Sequence, residues 1–241
     1  MGDSIIIENL TKYYNDFLAL DKLTLRVPEG ENIGLLGPNG AGKSTTLKIL
    51  CALLNPSSGK AYVDGIDILK QPEKALSHIG AIIETPEFYS YLTPEDNLNY
   101  FGRLRGMKGE ALAKRIKEVI ALVKLEKWSK VKIEKFSRGM KQRLALAQSL
   151  LHDPPILILD EPGLGLDPRG LVEFREIISD AGKRKTVFFA SHQLNEVALI
   201  CDKVAIINNG QLLAYDSIAS LEQKYQSLEQ AYLQLTGGNI E

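Results

Sequence analysis

The stretch Gly37-Pro38-Asn39-Gly40-Ala41-Gly42-Lys43-Ser44-Thr45 constrains this chain more than any other. It follows Asn32-Ile33-Gly34-Leu35-Leu36, an apolar run that reads as a buried strand, and precedes Thr46-Leu47-Lys48-Ile49-Leu50, which reads as the first turns of a helix. In that setting the pattern G-x-x-x-x-G-K-[ST] is a phosphate-binding loop, whose glycines let the backbone curl until successive N–H groups point at phosphate oxygens. Lys43 is placed to meet the β- and γ-phosphates and Ser44 to put its hydroxyl on Mg²⁺, while the helix N-terminus adds unpaired N–H groups and its dipole. A nucleoside triphosphate bound along residues Gly37 to Thr45 is therefore the first expectation.

With 241 residues, 44% of them hydrophobic, the chain can bury a substantial core as one large domain, or one with a small insertion. A net charge of -1 exerts no general pull on nucleic acid, so nucleic acid is not an expected partner. The two cysteines, Cys51 and Cys201, sit in apolar settings that suit buried thiols in a reducing compartment. No N-terminal leader and no apolar run approaching about 18 residues is present, so a cytoplasmic protein that meets membranes through partners is expected.

Along the chain, Ile5 to Glu8, Leu23 to Val27 and Asn32 to Leu36 read as short strands, with Pro28-Glu29-Gly30 as a turn. Tyr13 and Tyr14 read as loop residues between the first two; one of them stacks on a nucleobase, or both pack at a strand end. Asp64-Gly65 predicts a hairpin between Lys60–Val63 and Ile66–Ile68, and Asn209-Gly210 another between Val204–Asn208 and Gln211–Tyr215. The short strand Ile79 to Ile83 ends at Glu84, a carboxylate at the sheet edge where ligands bind in open α/β folds. From Thr85 to Phe136 helical spacing takes over, announced by Thr93-Pro94-Glu95-Asp96. Lys and Arg outnumber Glu in this helical stretch, which makes it either a solvated face or a face toward an anionic membrane.

Ser137 is a helix N-cap candidate for the helix carrying Leu144, Ala147 and Leu151, which stops at His152-Asp153-Pro154. Ile156-Leu157-Ile158-Leu159 reads as a central parallel strand ending in Asp160 and Glu161. In phosphate-loop enzymes such an Asp holds Mg²⁺ and the adjacent Glu can take a proton from the attacking water. The strand Thr186 to Ala190 ends in Ser191-His192, bringing His192 to the same edge, and a helical tail runs from Leu221 to Leu235, ending at Gly237-Gly238. This divides the chain into a nucleotide-binding core (residues 1–84 and 137–216), an inserted helical subdomain (85–136) and a C-terminal helical tail (217–241).

The ordered set of phosphate loop, Ser137-Arg138-Gly139-Met140-Lys141-Gln142, Leu157-Ile158-Leu159-Asp160-Glu161-Pro162, Gly165-Leu166-Asp167-Pro168 and Ser191-His192 resembles the ATP-binding cassette ATPases over nearly the whole length. The resemblance implies an α/β phosphate-loop NTPase fold with a mostly parallel core sheet, an antiparallel β subdomain and the helical insertion. It implies ATP and Mg²⁺ as cofactors and head-to-tail pairing with a second copy. Tyr14 matches the adenine-stacking aromatic, Ser44 and Asp160 the magnesium ligands, Glu161 the general base and His192 the γ-phosphate sensor. Ser137 and Gly139 would contact the partner copy's ATP, with Asp167 crossing the interface beside them.

Two departures stand out. Glu84 replaces the family's usual glutamine and offers a hard carboxylate ligand close to Mg²⁺. Arg138 replaces a glycine of the usual L-S-G-G-Q motif, and Met140-Lys141-Gln142 stands where that motif ends in one Gln. These features, with the segment Thr85–Tyr89 and the tail, resemble bacterial cassettes of bacitracin and lantibiotic self-protection and multidrug export. The implied role is the ATPase subunit of a bacterial exporter, held at the inner face of the cell membrane by an integral membrane partner. The alternatives are a soluble cassette ATPase of translation or DNA repair, and an importer ATPase subunit.

Overall fold

The computed structural model describes residues 2–183 and 185–237. In chain order, β1 (Asp3–Tyr14) and β2 (Phe17–Pro28) form an antiparallel pair, followed by β3 (Asn32–Leu36) and α1 (Lys43–Leu50). Next come β4 (Ser58–Val63), β5 (Ile66–Asp67), α2 (Pro72–Leu76) and β6 (Ile79–Ile82). α3 (Pro94–Leu104) and α4 (Gly109–Leu122) lead through two short 3₁₀ turns to α5 (Arg138–Leu150). The chain continues with β7 (Ile156–Asp160), α6 (Pro168–Gly182), β8 (Thr186–Ser191), α7 (Leu194–Ile200), β9 (Lys203–Asn208) and β10 (Gln211–Ser217), then α8 (Ile218–Tyr225) and α9 (Leu228–Thr236).

The strands make a four-stranded antiparallel sheet, β2-β1-β4-β5, and a six-stranded sheet, β10-β9-β3-β8-β7-β6. The second is parallel except at the β9–β10 hairpin. Its central strands are buried on both faces, which is why they read as unbroken aliphatic runs. Alternation then sorts those runs between two cores. Ile156 and Ile158 of β7, with Phe188 of β8, pack toward α1 and the antiparallel sheet. Leu157, Leu159, Val187 and Phe189 pack toward the opposite helical layer.

Local signals decide where the helices begin. Thr93 and Asp96 close a reciprocal capping box on α3, with Pro94 at the first helical position. Ser137 caps α5 by accepting the Met140 N–H at 3.3 Å. Both expected hairpins form, with Asp64 and Asn209 at positive φ.

Four local expectations are corrected. Tyr13 and Tyr14 are not loop residues: β1 runs on to Tyr14 because the ladder with β2 continues through bulges to the Tyr14–Phe17 pair. Both rings are exposed rather than packed against the strand end. β6 stops at Ile82, and Glu84 lies two residues beyond it at φ 64°. The tail is two helices rather than one, broken where Gln226 takes φ 73° and Ser227 recaps the chain; Gly238 lies outside the described residues. Helices α2, α6 and α7 had no counterpart in the sequence reading.

Behind the sheet edge, His152 donates from Nε2–H to the Ile79 carbonyl at 3.0 Å, while its Nδ1 is buried without a partner. Burial, reinforced by the cations Arg105, Lys185 and Arg115, holds its pKa down to about 4. The unfolded chain binds this proton near pH 6.5 and the folded chain only near 4. Stability is therefore full above pH 6.5 and falls as pH drops toward 4. His152→Asn, which cannot titrate, should flatten the fall in thermal midpoint across that window. A wild-type slope retained by the variant would assign the acid sensitivity to other groups.

Candidate nucleotide site

The β3–α1 junction forms a cradle of backbone. Gly40 and Gly42 take φ 82° and 105°, and a Cβ at Gly42 would lie 2.8 Å from the Ala19 carbonyl oxygen and 2.6 Å from Leu20, so glycine is required there. Lys43 opens α1 and is 6% exposed. Its Nζ donates to the carbonyls of Gly37 at 2.7 Å and Pro38 at 3.2 Å, bracing the loop from inside. Burial lowers the Lys43 pKa, an effect opposed by the nearby Glu161 and Asp160 carboxylates.

The acids reach this loop from β7. Asp160 is 6% exposed, and one carboxylate oxygen, Oδ1, is buried with no partner. Burial raises its pKa and the Ser44 hydroxyl bonded to it opposes that rise, while Glu161 adds to it. A buried, under-satisfied carboxylate beside a hydroxyl is an oxygen pair suited to a hard divalent cation, which fits Ser44 and Asp160 to Mg²⁺.

Glu161 follows at φ 45°, its N–H donating to the Ala190 carbonyl at 2.9 Å. The parallel register pairs Asp160 with Ala190, so the residues just beyond each strand meet. His192 Nδ1 lies 2.8 Å from Glu161 Oε2, and Lys43 Nζ lies 3.8 Å from Glu161 Oε1. Glu161 thus stands between the loop lysine and a histidine, oriented by both.

A cleft of about 280 Å³ is lined by Tyr14, Phe17, Ala19, Asn39 to Thr45 and Glu161. Tyr14 stands at its mouth with Lys12 Nζ 5.3 Å from its ring centroid. Phe17 was missed by the sequence reading, although two aromatics flanking Asn15-Asp16 are a hairpin signal that could have found it. Gly37 and Pro38 contribute through the carbonyls that Lys43 holds.

Other candidates do not line this cleft. Glu84 shares a second hollow with Asp160, Glu161, Arg138 and Gln142. Its side chain is 65% exposed and ion-paired with Lys48. Asp167 accepts the Gly170 N–H at 2.7 Å, bracing the start of α6, and Ser137 is occupied as the α5 cap. Gly139 has open space around it: a Cβ added there would come no closer than 3.6 Å to any neighbour. Arg138 folds back within its own chain, and its guanidinium lies so close over Gly165 that a Cβ there would overlap Cζ.

A parallel sheet carrying a phosphate loop after β3 and an acid pair after β7 defines a phosphate-loop NTPase. The family described as ABC transporter is matched over residues 20–163, and the chain belongs to it. It is an ATP-binding cassette that hydrolyses ATP. It is 42% identical to the uncharacterized ABC transporter ATP-binding protein YhcH of Bacillus subtilis, over 88% of this chain and 69% of that protein. It is 40% identical to the bacitracin transport ATP-binding protein BcrA of Bacillus licheniformis, over 93% of this chain and 74% of that one. Among solved structures, an ATP-binding subunit of an ABC transporter superposes with TM-score 0.86 at 29% identity, covering 96% of this chain and 98% of that chain. The ATP-binding cassette MJ0796, a dimer in a post-hydrolysis state with ADP and phosphate, gives TM-score 0.79 at 26% identity, covering 88% and 98%. No helix among the described residues is long and apolar enough to cross a membrane.

Proposed function

We propose that this chain is the ATPase subunit of a bacterial exporter, working as a head-to-tail pair with a second copy beneath an integral membrane partner. The observation that carries it is the Glu161 carboxylate held between His192 and Lys43, beside the unpartnered oxygen of Asp160. Glu161 takes the proton of the attacking water, and His192 orients Glu161 and senses the γ-phosphate. Ser44 and Asp160 hold Mg²⁺, which when bound neutralises charge developing on the phosphates. Tyr14 stacks on adenine, and residues 37 to 45 wrap the phosphates.

Ser137 and Gly139 meet the ATP of the other copy, with Asp167 beside them; none of the three lines the loop cleft of the same chain, which supports a role across an interface. Residues 85–136 act as a helical unit that relays closure from a core of residues 1–84 and 137–216 to the membrane subunit, with 217–241 as a tail. The partner holds the complex at the cytoplasmic face. Export is supported by the names of relatives at 40% identity, the bacitracin transport protein and a probable multidrug ABC transporter ATP-binding protein of Escherichia coli.

Light scattering of Glu161→Gln tests the composite site. A dimer with Mg-ATP and a monomer with Mg-ADP is expected; a monomer in both would overturn head-to-tail closure by this chain alone. Glu84 adds a second test of the metal reading. In Glu84→Gln the Mg²⁺ concentration for half-maximal ATPase should rise severalfold while ATP affinity holds. Superimposable metal titrations of variant and wild type would remove Glu84 from the metal site.

A further inference from the structure

Behind the Glu161–His192 pair lies a carboxyl that the proposed chemistry does not use. Glu196, on α7, is 3% exposed. Its Oε2 accepts the Ser191 hydroxyl at 3.0 Å, and that Oγ accepts the Gln193 N–H, also at 3.0 Å. Ser191 and Gln193 flank His192, so Glu196 holds the Ser191 hydroxyl, which in turn ties the backbone on the far side of the histidine. Its other oxygen, Oε1, is buried without a hydrogen-bond partner. That oxygen faces the turn after Glu161, so closely that a Cβ at Gly163 would overlap it.

A carboxyl buried with one oxygen unsatisfied costs stability unless its position serves something else. Burial raises the Glu196 pKa and Glu161 adds to the rise, while the Ser191 hydroxyl, Arg175 of α6 and His192 oppose it. Arg175 Nε is itself buried without a partner. Polar groups from α6, α7 and β8 therefore converge beneath the Gly163 turn with capacity left unused. The turn itself accommodates a side chain at Gly163 only by displacing this carboxylate and the flexible end of Leu171.

We infer that Glu196 is a positioning residue, a strut between the His192 end of β8 and the turn after Glu161, which sets the 2.8 Å contact between His192 and Glu161. This rests on the reading of Glu161 as the general base. The residue is buried and does not line the loop cleft; it acts through Ser191 and Gly163. Misplacing a catalytic group by about 1 Å can cost on the order of 10²-fold in rate, so a strut affects turnover without affecting binding.

The test compares Glu196→Ala, Glu196→Gln, Gly163→Ala and the double variant Gly163→Ala/Glu196→Ala for kcat, ATP affinity and thermal midpoint, with Glu161→Gln alongside. Gly163 is outside the left-handed region, so alanine there brings the clash without backbone strain. Glu196→Ala should lower kcat about 10-fold or more with ATP affinity unchanged, whereas Glu196→Gln, which still accepts from Ser191, should retain most of kcat. Gly163→Ala should lose both kcat and thermal midpoint, and removing the Glu196 side chain in the double variant should recover part of each. Additive losses, or a Glu196→Ala variant that loses affinity and thermal midpoint in step with kcat, would reduce Glu196 to core scaffold. Normal turnover in Glu161→Gln would instead overturn the base reading, leaving the thermal cycle to report the Glu196–Gly163 contact by itself.

Discussion

Glu161→Gln lowers kcat for ATP hydrolysis by about 10²–10⁴-fold, the usual contribution of a positioned general base. Glutamine keeps the shape of the side chain and can still accept from His192 Nδ1–H, so the 2.8 Å contact survives the substitution. What is lost is the ability to take a proton. The ion pair with Lys43 also disappears, but at 3.8 Å it is long, and Lys43 keeps its two carbonyl partners in the loop. ATP affinity should therefore change little. Steady-state phosphate release combined with equilibrium nucleotide binding separates the two quantities, and a variant turning over near the wild-type rate would remove Glu161 from the reaction.

Lys43→Ala weakens ATP binding about 10- to 100-fold, because a hydrogen bond to a charged group contributes roughly 1.5–3 kcal/mol. The substitution removes more than one contact. Nζ braces the loop by donating to the Gly37 and Pro38 carbonyls, and its charge also acts on the buried Asp160 and the half-buried Glu161 carboxylates. Phosphate binding exchanges neutral carbonyl acceptors for charged oxygens, which is where the affinity arises. Without Lys43 the pKa of Asp160, already raised by burial, should rise further, since the lysine is one of the influences holding it down. ATP titration followed by calorimetry checks the size of the effect, and an unchanged dissociation constant would mean that Lys43 serves only the loop's own architecture.

Much of the architecture follows from short-range chemistry. The phosphate loop, the Thr93 and Ser137 caps and the two hairpin turns each depend on residues within a few positions of one another. Such signals are legible because backbone conformation and local hydrogen bonding are properties of a few neighbouring residues. The same holds for β7, where a doubly buried parallel strand demands an aliphatic run and the acids mark its end. The helices α2 and α7 escaped because they are short and no side chain caps them, so they rely on packing against the sheet; α6 was missed although Asp167-Pro168, an aspartate cap before a first-position proline, marks its start.

By itself, then, the sequence determined a strand–loop–helix cradle for a triphosphate, an acid pair at a strand end and the order of motifs that identifies the family. The tertiary structure decided which of those residues meet. Glu161 and His192 are 31 positions apart, and only the parallel register of β7 against β8 makes them neighbours. The Glu84–Lys48 pair, the fold of Arg138 over Gly165 and the placement of Glu196 beneath Gly163 likewise join separate elements. The physical reason is that strand order and helix packing are selected by burial of the two cores as wholes, and no local pattern encodes a distance that only the closed sheet creates.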